Sequence, residues 1–242
     1  MTTLVVGLDH LALLRDAGGA RDPDPVVAAA LAELAGVGGI RVSCGRARGG
    51  IQERDVRLLR EVVRTALLLR IPPQDEFLKL ALAVRPEVVT LIPGEREGWG
   101  AERGLDVEDR RQELLPFIEA LKGGCILVGI LVDPLPAQVK AVQRAGAGAV
   151  LLHTGRFSWA TEDAGRAVEF ETLTNAVKVA HRLGLVVHAG GGLTFHGAVA
   201  VGGLAEVTAL DVGHSLIARA ALIGMGDAVR ELRHLLQGGA GR

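Results

Sequence analysis

The chain has 242 residues, of which 49% are hydrophobic and 3% aromatic, and its formal net charge is −1. That length suffices for one barrel-sized domain with a large core, while the near-zero charge and scarce aromatic rings exclude a nucleic-acid interface. Cys44 and Cys125 stand singly, which fits a reducing compartment better than a disulfide scaffold. The start, M-T-T-L-V-V-G-L-D, has no basic leader, and no apolar run approaches the ~20 residues of a membrane span. A cytoplasmic protein with no membrane contact is expected.

Strand and helix signals alternate from end to end. The first strand is expected at Thr3–Leu8, ending on Asp9-His10. After the loop Ala17–Pro23, Asp24-Pro25 caps a helix to about Ala35, with proline at the first helical position. Gly39–Ser43 reads as strand two and Cys44–Gly50 as a glycine- and arginine-rich loop. Helical periodicity over Gln52–Val63 precedes strand three, Thr65–Ile71, which Pro72-Pro73 stops. A helix over Glu76–Val84 leads to strand four, Val88–Ile92, and to a long loop, Pro93–Leu105, that carries Trp99 and has the character of a lid. Then follow a helix (Asp106–Leu121), strand five (Ile126–Val132), a helix (Pro134–Ala145), strand six (Ala149–Leu152) and a long helix (Asp163–Leu183). Two further strands and helices near Ser215–Leu222 and Gly226–Gln237 close the chain. This pattern favours a single-domain (β/α)8 TIM barrel over residues 1–242, with a doubly wound open sheet as the alternative.

The last two strands carry the strongest functional signal. Val186–Thr194 reads V-V-H-A-G-G-G-L-T, an apolar run with His188 that closes in Gly190, Gly191 and Gly192. Val207–Ser215 repeats the design and ends in Gly213-His214-Ser215. Glycine lets a backbone approach a ligand closely, and N–H groups at a helix start attract an anion. In (β/α)8 barrels the loops after strands seven and eight are the usual phosphate site. Period-two alternation points Gly7 and Asp9, Arg41 and Ser43, Leu68 and Arg70, Leu151 and His153, His188 and Gly190, Asp211 and Gly213 into the mouth. Buried charges must pair or meet a charged ligand, so the two arginines either add positive charge for the ligand or cancel against the two aspartates. His188 is a candidate general base if Asp211 or Asp9 orients it. A metal site from His153, His188 and a carboxylate lacks any short ligand spacing, and neither a metal nor a cofactor is expected. Cys44 stands near Arg41, Arg46 and Arg48, cations that would lower a thiol pKa, although an ordinary loop thiol is the simpler reading.

These motifs together resemble the pyridoxine 5'-phosphate synthase family, nearly end to end. The resemblance rests on L-D-H (Leu8–His10), P-D-P-V (Pro23–Val26), E-R-D-V-R-L-L-R (Glu53–Arg60), G-L-D-V (Gly104–Val107), H-T-G (His153–Gly155), G-L-T-F-H (Gly192–His196) and G-H-S (Gly213–Ser215). It implies a (β/α)8 barrel, a homo-oligomer, and condensation of 1-deoxyxylulose 5-phosphate with 3-amino-2-oxopropyl phosphate. It also implies that Asp9-His10 touch the first substrate, and that Gly192 and Gly213-His214 hold the phosphate of the second. The family's acid–base residues, by the same resemblance, fall on Ser43, Arg70 and Gly191, where this chain has lost a histidine, a glutamate and a histidine. Further substrate-binding positions fall on Gly7, Gly18, Gly45, Gly50 and Gly100. Neither guanidinium nor glycine can shuttle protons near neutrality, nor can a serine without a base. The expectation is a divergent barrel that binds a small phosphorylated or carboxylated metabolite and does not make pyridoxine 5'-phosphate. Any catalysis, a carbonyl condensation, isomerisation or lyase step, would fall to Asp9, His10, His153 and His188. Gly190–Gly192, Gly213, His214, Arg41, Ser43, Arg70 and Asp211 are the expected ligand site. The rival expectation is an inactive pseudoenzyme kept as a binding or assembly partner.

Overall fold

A computed structural model describes residues 2–45, 50–94 and 103–239. Among them, eight strands form a closed parallel barrel in sequence order: β1 (Thr3–Gly7), β2 (Gly39–Ser43), β3 (Ala66–Ile71), β4 (Val88–Leu91), β5 (Leu127–Val132), β6 (Ala149–His153), β7 (Val186–Gly190) and β8 (Ala209–Val212). Pairing of β1 with β8, Val5 opposite Asp211, closes the ring and rules out the open sheet. The chain is a single-domain (β/α)8 barrel. The helices are α1 (Asp9–Ala17), α2 (Pro25–Leu34), α3 (Glu53–Val62), α4 (Asp75–Val84), α5 (Val107–Gly123), α6 (Pro136–Arg144), α7 (Gly155–Trp159), α8 (Asp163–Arg182), α9 (Phe195–Gly202), α10 (His214–Ile223) and α11 (Met225–Gly239). No helix of the described residues is long and apolar enough to cross a membrane.

The strand expectations hold to within a residue or two, because a strand buried on both faces must be apolar throughout. Three helices carried no expectation. α1 has the non-capping Leu8 at its N-cap, and α7 is only five residues long with no cap bond from Thr154, so neither start is secured by a side chain. α9 does have a side-chain cap: the Thr194 hydroxyl accepts from the Gly197 N–H at 3.1 Å, masked in the sequence by the glycines before it. Elsewhere local chemistry sets the ends as read. Asp24 caps α2 by accepting from the Val26 N–H at 2.8 Å, with Pro25 in the first turn. Gln52 and Asp55 form a capping box on α3. Asp55 is also held two-pronged by Arg15 of α1, at 2.9 Å to each oxygen, and Arg15 reaches the Gly50 carbonyl at 2.9 Å. Asp55, within the run Glu53–Arg60, therefore fastens α1 to the start of α3.

Most of the core lies between strands and helices, around residues such as Ile40, Leu67, Leu69, Ile130 and Val150. The barrel lumen is filled differently on its two sides. Val5, Leu68, Val88 and Ala209 close the bottom, and Ile92, Leu131 and Leu151 make a second apolar patch on the β4–β6 side. On the β1–β3 and β7–β8 side the buried side chains are Asp9, Arg41, Arg70, His188 and Asp211. The lid reading of Pro93–Leu105, including Trp99, falls largely outside the described residues. Its far end is anchored: Gly104 lies against the backbone of Val132–Asp133 with no room for a Cβ, and the Leu105 N–H donates to the Leu131 carbonyl at 2.7 Å.

Candidate active site

Asp9, Arg41, Ser43, Arg70 and Asp211 converge into one hydrogen-bonded cluster at the C-terminal ends of β1, β2, β3 and β8. Gly7 stands opposite Arg41 in the β1–β2 register, and the Arg41 guanidinium crosses the space a Cβ on Gly7 would need. From there Arg41 Nε donates to both Asp211 oxygens at 3.1 and 3.0 Å, and Nη2 to Asp211 Oδ1 at 3.0 Å. Its Nη1 donates to Asp9 Oδ2 and lies 3.4 Å from the Ser43 hydroxyl. Arg70 is 2% exposed and donates from Nη2 to Asp211 Oδ2 at 2.6 Å. Asp9 also accepts from the Ser43 N–H at 2.7 Å and from its hydroxyl at 2.8 Å.

Two guanidiniums and two carboxylates thus cancel inside the barrel. Burying each ion costs several kcal/mol, and only such close pairing offsets it. Burial pushes the Asp211 carboxyl upward, but the Arg41 and Arg70 charges and the Arg41 hydrogen bonds outweigh it and hold the group below the usual carboxylate range. Of the two arrangements open to these charges, Arg41 and Arg70 here adopt internal pairing with Asp9 and Asp211. Asp9 thus takes three donors on its two oxygens.

His188 faces this cluster from β7. Burial lowers its pKa, Asp211 opposes that by charge, and Arg70 adds to it. The net lowering favours the neutral imidazole, the form that can accept a proton. Cys44, by contrast, is not activated: burial pushes its thiol up to about 12, with Asp9, Asp55 and Glu53 acting in the same direction. Arg46 and Arg48 lie outside the described residues. No group of three or more His, Cys, Asp or Glu among the described residues is arranged to hold a metal ion.

A second cluster lies where the loops after β7 and β8 meet. Gly191 and Gly192 have φ of +86° and +82°, which favours glycine at both positions. The Ser215 hydroxyl donates to the Leu193 carbonyl at 2.6 Å and ties the two loops together. Gly213 is the N-cap of α10, so the first N–H groups of that helix open beside it. The rings of His10 and His214, each in the first turn of its helix, stand 5.0 Å apart beside Gly213.

The third cluster surrounds His153. The Thr154 N–H donates to the Gly190 carbonyl at 2.9 Å, and its hydroxyl to the Gly191 carbonyl at 2.8 Å. His153 Nδ1 accepts from the Gly155 N–H at 3.4 Å. A Cβ on Gly191 would come within 2.5–2.8 Å of the His153 ring, so this imidazole fills the space over the glycine. Trp159 meets His153 edge to face at 5.9 Å. Sequence reasoning missed Trp159, whose only signal was an aromatic ring six residues beyond the H-T-G histidine in a chain poor in aromatics.

The chain is 46% identical over 238 residues to a pyridoxine 5'-phosphate synthase of Syntrophotalea carbinolica, covering 98% of this chain and all of that one. It is 44% identical over 236 residues to a protein of the same name from a Synechococcus species, covering 98% and 99%. Among solved structures, phosphoribosyl anthranilate isomerase from Thermus thermophilus superposes with a TM-score of 0.62 at 19% identity, covering 98% and 99%. KGPDC from Streptococcus mutans superposes with 0.66 at 15% identity, covering both chains fully. At such identities the two structures speak for the barrel alone. The model of the pyridoxal phosphate biosynthesis protein PdxJ family matches residues 4–238, from the first strand to the last helix, and the chain belongs to that family.

Proposed function

We propose that the protein seats the phosphate or carboxylate of a small metabolite between the glycine turn after β7 and the N-terminus of α10, and does not itself make pyridoxine 5'-phosphate. Relatives that carry the name pyridoxine 5'-phosphate synthase support the substrate class, a small phosphate ester. The observation that carries the second half is the ion-pair cluster. Ser43 and Arg70, two of the positions where the family resemblance puts acid–base groups, are bound up with Asp9 and Asp211. Arginine does not give up its proton near neutrality, and the Ser43 hydroxyl donates to an Asp9 carboxylate that the Arg41 guanidinium already engages. Gly191, the third position, lies under the His153 ring. If a proton is moved here, His188 is the suited acceptor, with His153 and His10 as further donors, and the chemistry is a single carbonyl isomerisation, condensation or lyase step.

A pseudoenzyme is the second reading, and one observation favours it: Arg70 is held by Asp211 inside the mouth and contributes no net charge to a ligand. Thermal unfolding with and without inorganic phosphate or glycerol phosphate tests the anion seat, since a ligand of the native state alone raises Tm. A saturable rise is expected, and Gly213→Leu should remove it. A protein whose Tm ignores both anions would overturn the seat and leave the pseudoenzyme reading.

A further inference from the structure

We infer that Trp159 is a ligand-binding residue: its indole covers the glycine turn after β7 and donates its N–H to the phosphate group bound there. The inference rests on the anion seat proposed above and names a side chain that recognises its ligand. Trp159 ends the short helix α7 at the barrel mouth and remains 51% exposed. Its exposed half lies beside the glycine turn, where a ligand seated on that turn can reach it.

The geometry fixes how the ring lies. A Cβ on Gly192 would sit 2.9 Å from Trp159 Cζ2, 3.0 Å from Cε2 and 3.1 Å from Nε1. A Cβ on Gly155 would sit 2.7 Å from Cζ3 and 2.9 Å from Cη2. One long edge of the indole therefore runs from Gly192 to Gly155, with its N–H end over Gly192. Both positions must be glycine for the ring to lie there. His153 supports it edge to face at 5.9 Å and 68°, and is itself held by the Gly155 N–H. Such aromatic contacts add about 0.5–1.5 kcal/mol beyond the area they bury.

The indole nitrogen can only donate, and its partner at this spot must be an acceptor. An anionic oxygen seated on the glycine turn supplies one, and a hydrogen bond to a charged acceptor is roughly twice as strong as a neutral one. A dianionic phosphate monoester is the ligand class that fits, because it has oxygens enough for backbone donors and the indole together. Covering the phosphate with a ring also removes water from one side of it, which strengthens the remaining contacts.

The chain has two tryptophans, Trp99 and Trp159, so Trp99→Phe leaves Trp159 as the single emitter. Titration of that variant with inorganic phosphate, at constant ionic strength set with chloride, should shift or quench the Trp159 emission saturably, with the midpoint seen in thermal stabilisation. Trp159→Phe in the natural chain keeps a ring but loses the N–H, and should raise the phosphate midpoint about tenfold. If phosphate stabilises the protein but leaves both the emission and the Trp159→Phe midpoint unchanged, the role of Trp159 is wrong and the anion seat survives. If phosphate stabilises neither protein, both fall. The emission titration needs no change at position 159, so it decides the matter even if Trp159→Phe folds poorly.

Discussion

Arg41, Arg70 and Asp211 on β2, β3 and β8 meet Asp9 at the start of α1, and the four charges cancel. Just beyond the strand ends, Gly191, Gly192 and Gly213 present backbone instead of side chains, with the first turn of α10 and the His10–His214 pair around them. The two levels are a few residues apart along β7 and β8, yet they treat charge in opposite ways. The lower level spends its charges on itself, so removing one member exposes the others. The upper level relies on backbone N–H groups and a helix dipole of about 0.3–1 kcal/mol, which no internal carboxylate can neutralise. Under the anion seat proposed above, a mouth can contain two arginines and still draw its affinity for anions from glycine.

The largest effect should come from breaking the lower level. Asp211→Ala leaves two guanidiniums buried together and should cost about 3–5 kcal/mol in urea unfolding, as expected when one partner of a buried pair is removed. A loss below about 1 kcal/mol would mean that water or rearrangement satisfies them and that the cluster is not a closed unit. Arg70→Glu is the next test. It places a third carboxylate beside Asp9 and Asp211 with Arg41 as their one cation, and should cost a few kcal/mol at pH 7. Crowded carboxylates titrate upward in the folded state, so this variant should recover stability as the pH falls toward 5. Equal loss at pH 5 and pH 8 would contradict the charge explanation.

A smaller effect concerns His188. Its pKa in the folded protein lies below the unfolded value of about 6.5, because burial disfavours the imidazolium. The unfolded chain then takes up a proton that the folded one refuses. Stability is fully present above about pH 6.5 and falls as the pH drops below it, by at most ~1.4 kcal/mol per unit. His188→Gln should flatten that part of the pH–stability curve; an unaltered slope between pH 6.5 and 5 would assign it to other groups. The smallest effect is at Cys44. With its thiol pushed up to about 12 and its side chain buried, the native protein at pH 8 should give one fast thiol with Ellman's reagent, from the exposed Cys125.

These regions also differ in how much the residues alone disclosed. Short continuous apolar runs between helical patterns marked the strands, and Asp24-Pro25 marked the start of α2, because both rest on local rules. The inward set of Asp9, Arg41, Arg70, His188 and Asp211 followed from period two along single strands. Which arginine meets which aspartate did not follow. Arg70 and Asp211 lie 141 positions apart, and their contact depends on how far each side chain reaches across the lumen. The same holds for Trp159 over Gly192: it needs α7, a helix too short to signal itself, and a ring that returns to a strand end from the next loop. Chain order fixed the barrel, whereas pairings across it needed coordinates.

The claim that the anion seat is kept while the proton-transfer set is gone has one direct test. Purified protein is incubated with 1-deoxyxylulose 5-phosphate and 3-amino-2-oxopropyl phosphate, with a pyridoxine 5'-phosphate synthase relative run in parallel. The account predicts phosphate-dependent stabilisation and no pyridoxine 5'-phosphate, a deficit of several factors of about 10²–10⁴. Turnover within a few-fold of the relative would contradict it, and would mean that His188 and His153 do the work of the residues missing at Ser43, Arg70 and Gly191.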